Sequence, residues 1–245
     1  MDPAFLAQTL STLLTGVPLT LQLAGSAVAI GAVFALLLAA MRLSGVPALD
    51  WVARAYVFVF RGTPLLVQIF LIYYGLGQFR PSLQALGLWS FFREPYWCAL
   101  AALTLNTAAY SSEIIRGGLL SVPFGQVEAG RACGMSRGLL LRRIVAPIAL
   151  RQALPGYGNE VILMVKATSL ASIVTMMEVT GLAHRLISQT FRAVEIFLVA
   201  GFVYLALNFL VTRIIAALEW WLSPHLREAP VAPASEQPPI AIHAG

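Results

Sequence analysis

Four ionisable residues lie within or at the ends of long apolar stretches: Glu113, Glu160, Lys166 and Glu178. In a membrane helix such a side chain costs ~2.5–3.5 kcal/mol at the bilayer centre, so it is usually paired, turned inward or functional. An interfacial position is open to Glu113, at the end of its stretch, and to Glu160, which follows Pro155, Gly156 and Gly158. Lys166 has no such account, being flanked by apolar residues 162–165 and by 170–174. Two roles compete for it. One is structural: an ion pair with Glu160 or Glu113, or a side chain snorkelling to an interface. The other is to line a polar path. A zwitterionic solute needs an anionic contact for its ammonium and a cationic or helix-N-terminal contact for its carboxylate. Glu113 and Lys166 offer one of each, and Asn106, Tyr110, Thr168 and Ser169 add hydrogen-bonding groups. Both roles stay open on the residues alone.

A second group of residues sits between two apolar stretches, in the segment 121–155, SVPFGQVEAGRACGMSRGLLLRRIVAPIALRQALP. It is long for a connection and is not low-complexity. Pro123 with Gly125 starts a turn. Residues 126–133 suit a short helix with Gly134 as its C-terminal cap. Residues 136–144 suit a second, basic helix with Leu139, Leu140 and Leu141 available for docking, and Pro147 is expected to end it. Two short helices with a glycine between them make a compact knob on which a separate motor protein could push.

The elements that must position these groups are membrane spans. Of 245 residues, 59% are apolar and only 11% charged, against roughly 25% charged in a soluble domain. Five blocks approach the ~20 residues a span needs: 19–41, 62–78, 95–112, 152–182 and 196–212. Helix is the expected form because it satisfies its own backbone in lipid. The fold class is therefore all-α and polytopic: five transmembrane helices with a two-helix cytoplasmic loop, over residues 1–227. Residues 228–245, rich in Pro and Ala, read as a disordered cytoplasmic tail. The loops that alternate to one side hold Arg42, Arg54, Arg61, Arg116, Arg131, Arg137, Arg142, Arg143, Arg151, Arg213 and Arg227; the opposite set holds Arg80, Arg93, Arg185 and Arg192. The excess places the first set in the cytoplasm and the N-terminus outside, in the periplasm if the membrane is a bacterial inner membrane. The first ten residues carry no Lys or Arg, so the first apolar block is not read as a cleaved secretory signal.

With spans and loop in place, the motifs resemble a family. Glu128-Ala129-Gly130, then Gly134, Ile144 and Pro147, is similar to the cytoplasmic loop of permeases of binding-protein-dependent ABC importers, whose pattern is Glu-Ala-Ala, three residues, Gly, nine residues, Ile-x-Leu-Pro. The sequence departs at Gly130, where Ala is usual, and at Ala146, where Leu is usual, with the spacing intact. The resemblance covers nearly all of residues 14–222. It includes Gly16-Val17-Pro18-Leu19-Thr20-Leu21. Three further stretches resemble the polar amino acid branch: Arg61-Gly62-Thr63-Pro64-Leu65-Leu66-Val67-Gln68; Asn106-Thr107-Ala108-Ala109-Tyr110 with Glu113-Ile114; and Pro155 with Gly158-Asn159-Glu160. Within that branch it is most similar to the histidine/lysine/arginine/ornithine and octopine/nopaline permeases. The resemblance implies that Glu128, Ala129, Gly130, Gly134, Ile144 and Pro147 form the contact with an ABC ATPase subunit dimer. It also implies a second permease subunit, identical or related, a periplasmic amino-acid-binding protein, and an amino acid or opine substrate. No cofactor is expected in this chain, since ATP is bound by the partner ATPase.

Other functions find less support. There is no G-x-x-x-x-G-K-[ST] loop for nucleotide, and no His or Cys pair has metal-ligand spacing. The arginines are scattered between apolar blocks, not gathered on one face as nucleic-acid binding would need. An intramembrane serine hydrolase lacks a base at matching depth, because no span holds a His and Ser111 and Ser112 have only Glu113 beside them. An ion-coupled secondary transporter or channel would use the same intramembrane charges, but gives no reason for the folded knob.

Overall fold

A computed structural model describes residues 2–222, which are helical almost throughout; the tail at 228–245 lies outside the described residues. Helix α1 (Pro3–Leu14) opens at Asp2, whose carboxylate accepts from the Ala4 amide at 3.0 Å, and runs on through Gly16 into α2 (Val17–Arg42). Helix α3 (Pro47–Gly62) follows, then α4 (Leu65–Phe70), a π-turn (Leu71–Gly75) and α5 (Leu76–Gln78). The short helices α6 (Arg80–Ala85) and α7 (Trp89–Phe92) lead to α8 (Pro95–Leu120). The loop segment forms α9 (Phe124–Ala132), α10 (Arg137–Leu140) and a second π-turn (Leu141–Val145), which continues into α11 (Ala146–Ala167) and a 3-10 segment (Thr168–Val174). Helix α12 (Val179–Thr190) and the 30-residue α13 (Ala193–Leu222) complete the chain.

The segment Pro3–Arg42 and α13 are each long and apolar enough to cross a membrane, and two bent pairs pass the same test together: Pro47–Gly62 with Leu65–Gln78, bent by 104°, and Arg137–Val174 with Val179–Thr190, bent by 46°. Helix α8 is less apolar because its surroundings are protein. It packs on α2, α11, α3 and α4, and half its length is buried, mostly through small residues such as Ala99, Ala102, Ala108, Ala109, Ser111 and Ser112. Small residues let helices approach closely where lipid gives no hydrophobic drive. A Cβ on Gly31 of α2 would come within 2.5 Å of Thr107 Cγ2, and one on Gly118 of α8 within 2.6 Å of the Ala149 carbonyl. In contrast, α13 turns Leu198, Phe202, Leu205 and Phe209 outward, as a lipid-facing helix should.

Several sequence expectations are corrected. The arginine-bearing stretch after Arg42 is mostly helix: Asp50 pairs with Arg54 one turn on, at 2.8 Å, and α3 meets the next segment at a sharp break. Pro147 does not end the second helix of the loop. The π-turn before it lets the Ala146 amide reach the Leu141 carbonyl, and the chain passes the proline, whose missing amide and bulky ring would otherwise break the ladder. Glu178 is not in a continuous helix of the fourth span but at its break, between the 3-10 segment and α12. It precedes α12 and caps it, its carboxylate accepting from Gly181 at 2.8 Å and Thr180 at 3.0 Å, with Tyr204 donating at 2.6 Å.

Candidate functional site

The knob is built as its sequence requires. Helix α9 ends with Gly134 in the left-handed region, φ +75°, where a side chain is strained. The Gly134 amide donates to Arg131 (2.9 Å) and the Met135 amide to Gly130 (3.1 Å), the paired bonds that close a helix end. Ser136 then caps α10, accepting from Leu139. Gly130 is buried, and a Cβ there would meet Leu140 Cδ1 at 2.5 Å and Ile144 Cδ1 at 2.9 Å. The two helices are thus seated on each other at Gly130, Leu140 and Ile144, and through the π-turn the knob is continuous with α11. Glu128, Ala129 and Gly134 remain exposed and Pro147 half-buried. Glu128 lies beyond the first turn of α9 and caps no amide there. A cleft of about 380 Å³ opens beside Ala129, Gly130, Cys133 and Ile144.

The residues expected to line a polar path are not gathered together. Glu113 accepts from Arg42 at 2.5 Å and from Arg116 at 2.7 Å, and Arg42 also holds Asp50 at 3.0 Å. This cluster ties α2, α3 and α8 together at one end of the bundle. Asn106 is buried and donates to Gln68 at 3.0 Å. Tyr110 carries the Arg61 guanidinium 5.0 Å from its ring centroid. Thr168 is buried and its hydroxyl donates to the Val165 carbonyl at 2.8 Å; Ser169 donates to the Lys166 carbonyl at 2.7 Å.

Lys166 is exposed and has no ion pair among the described residues. The proposed structural pairs do not form. Glu160 is buried and accepts from Thr107 at 2.9 Å, and that bond, with the Gly118–Ala149 approach, fixes the antiparallel register of α8 on α11. In that register Lys166 stands level with Ala101, twelve residues from Glu113 along α8, about 18 Å at 1.5 Å per residue. The two charges cannot hold the two ends of one amino-acid backbone. The Gln68, Asp50 and Tyr204 contacts had no sequence expectation; the helical spacing of Asp50 and Arg54 was the one available signal.

A bundle of long apolar helices that carries a two-helix knob is the class these features define: a multi-pass helical membrane protein. The chain matches the family described as binding-protein-dependent transport system inner membrane component over residues 7–223, and it belongs to that family. The octopine transport system permease protein OccM of Rhizobium meliloti is 61% identical over 93% of this chain and 92% of its own length. The nopaline transport system permease protein NocM of Agrobacterium fabrum is 56% identical over 93% and 94%. The arginine ABC transporter permease protein ArtM of Escherichia coli is 46% identical over 71% and 77%. Among solved structures, a crystal structure of an amino acid ABC transporter with histidines superposes with a TM-score of 0.79 at 32% identity, covering 89% of this chain and 98% of that one. An inward-facing MetNI methionine ABC transporter shares the fold, with a TM-score of 0.68 at 19% identity over 91% and 99%. The chain is accordingly a multi-pass inner-membrane permease with the type I importer fold; two helices, or four spans with each bent pair taken as one, are apolar and long enough to cross a membrane, against the five expected.

Proposed function

We propose that this chain is the permease subunit of an ATP-driven importer for a basic amino acid or an opine, received from a periplasmic binding protein and driven by a separate ATPase dimer. The observation that carries the reading is the knob. It is braced at Gly130 and continuous with α11, so a push on its exposed face is transmitted directly to a spanning helix. The face presents Glu128, Ala129 and Gly134, with Ile144 and Pro147 in the connection behind it. The octopine, nopaline and arginine systems of the relatives support a guanidinium-bearing, carboxylate-bearing solute. In this reading the knob is cytoplasmic and the N-terminus periplasmic. The permease acts as a pair, with a copy of itself or a related chain, across a path that neither partner encloses alone. Lys166, exposed and with no acidic partner among the described residues, meets the solute carboxylate there; Glu113 serves the fold.

The test is reconstitution. The chain, co-expressed with its ATPase, should co-purify with it, and a binding protein loaded with L-arginine or octopine should raise ATP turnover and drive uptake. Uptake that follows an ion gradient with no ATPase present would establish a secondary transporter instead.

A further inference from the structure

Among the described residues, Arg131, Arg137, Arg142, Arg143 and Arg151 of the knob side have no ion pair or ring contact, whereas on the opposite side such contacts are the rule. On the side assigned to the periplasm, Arg80 lies over Trp89, 5.4 Å from its centroid, Arg93 pairs with Glu94 at 3.2 Å, and Arg192 pairs with Glu195 and lies over Phe5. The fourth, Arg185, is exposed and has no ion pair or ring contact among the described residues. It projects from α12 into a cleft of about 560 Å³ lined also by Ser172, Thr175, Met176, Gly181 and Ser188. Its floor is tight: a Cβ on Gly181 would stand 1.9 Å from the Met176 carbonyl, so α12 can fold against the end of the 3-10 segment only with glycine there. Among the described residues, no acidic side chain lines the cleft. His184, also at its edge, stacks edge-on against Phe197 at 5.5 Å.

From this arrangement we infer that the cleft between the 3-10 segment and α12 is an outer binding site for a carboxylate of the incoming solute, with Arg185 as the charge contact; the Ser172 and Ser188 hydroxyls, at its edge, donate to the Ser169 and Arg185 carbonyls at 2.7 Å each. The inference rests on the importer reading for its orientation. A guanidinium matches a carboxylate with two parallel N–H donors, and an arginine without an internal partner keeps that fork free. Ile173, in its lining, and Lys166 are both exposed, two helical turns apart on one connected helix. The intervening 3-10 segment of seven residues measures about 14 Å at ~2 Å per residue. Arg185 and Lys166, neither with an ion pair among the described residues, thus mark an outer and an inner position for the same anionic group.

The experiment uses the full transporter complex in nanodiscs, with Ser188→Cys in a chain freed of Cys98 and Cys133, and reads the rate of maleimide labelling at position 188. L-Arginine and octopine should slow labelling without the binding protein, and agmatine, which is arginine without its carboxylate, should not. Arg185→Gln should raise the half-protecting concentration about tenfold, the effect of losing a charge-assisted hydrogen bond. Arg185→Lys should recover part of the protection. Equal protection by agmatine, or protection unaltered by Arg185→Gln, overturns the inference. So does protection that appears only with the binding protein and regardless of its ligand, which would make the cleft a docking surface. A wild-type complex that imports neither compound would refute the importer reading alone, because the comparison of arginine with agmatine still decides the cleft.

Discussion

The side-chain amides of Asn106 and Gln68 face each other across the α3–α4 break, Asn106 donating to Gln68 at 3.0 Å. Gln68 in turn donates to the Phe60 carbonyl at 2.9 Å, the Thr63 carbonyl at 3.1 Å and the Thr63 hydroxyl at 2.9 Å. The break at Thr63-Pro64 strands backbone carbonyls that no continuing helix can satisfy. In lipid an unsatisfied group is costly, so the amide pair stands in for the missing turn and fastens the bend to the central helix α8.

Replacing Gln68 with Leu should therefore damage the fold before it damages transport. Each carbonyl left unsatisfied in a buried place costs about 1–3 kcal/mol. Membrane abundance and the detergent melting temperature should both fall, and uptake should fall only in proportion to abundance. Asn106→Ala should show a smaller version of the same pattern. Normal abundance with uptake lost in Asn106→Ala would return Asn106 to the solute path.

The knob makes a graded prediction. At Gly130 an added methyl meets only the far ends of Leu140 and Ile144, which can turn aside, so Gly130→Ala should keep near-normal coupling of ATP hydrolysis to uptake. Gly130→Leu cannot be absorbed in a contact that close, and overpacking of this kind costs about 1–3 kcal/mol. It should unseat α9 from the π-turn and uncouple the complex. Gly134→Trp should also uncouple it while leaving insertion intact, because bulk is then added at the exposed turn in a left-handed conformation. Normal uptake in Gly130→Leu and Gly134→Trp together would remove the knob from the coupling path.

Orientation can be read with the native cysteines. Cys133 is exposed at the end of α9 and Cys98 is buried. In intact cells a membrane-permeant maleimide should label Cys133 and an impermeant one should not, whereas an engineered Ser82→Cys should react with both. Labelling of Cys133 from outside would invert the topology and take the knob away from any cytoplasmic ATPase.

The spans at 19–41 and 196–212 were legible because each is an apolar block near the right length, and the knob because glycine, proline and leucine positions punctuate a short segment; the block 62–78 reaches span length only with α3, from which it is bent by 104°, and 95–112 belongs to the less apolar α8. What escaped the sequence depended on packing partners distant in the chain. The stretch after Arg42 looked like a loop because its arginines were counted as solvated; Arg42 is in fact held by Asp50 and Glu113. Pro147 looked like a stop because a one-dimensional rule has no place for a π-turn that absorbs it. Glu178 looked like a charge inside a span because nothing local announces that the helix breaks at Thr175, which takes a left-handed φ of 66°, and restarts at Val179. The candidate path suffered most. Residue type placed Glu113 and Lys166 in one list, but only the Thr107–Glu160 bond and the Gly118–Ala149 approach set their levels along the bundle.

That register sharpens the expectation for Lys166. In Lys166→Met the length is kept and the charge removed. No acidic partner is left unpaired, because Glu113 stays with Arg42 and Arg116 and Glu160 stays with Thr107. The penalty for breaking a buried ion pair, about 3–5 kcal/mol, should therefore be absent, and an exposed ammonium replaced by a thioether should leave abundance and assembly with the ATPase near normal. Uptake of L-arginine or octopine should fall by about tenfold or more if the ammonium meets a desolvated carboxylate, since a hydrogen bond to a charged group is worth about 1.5–3 kcal/mol. Lys166→Arg should retain most of the activity, because it keeps a cation at the same level. Reduced abundance in Lys166→Met, repaired by also neutralising Glu160 or Glu113, would show that the pair forms in the assembled transporter after all. Unchanged uptake would leave Lys166 as a side chain that only snorkels to the interface, and the solute carboxylate would need another partner in the paired permease.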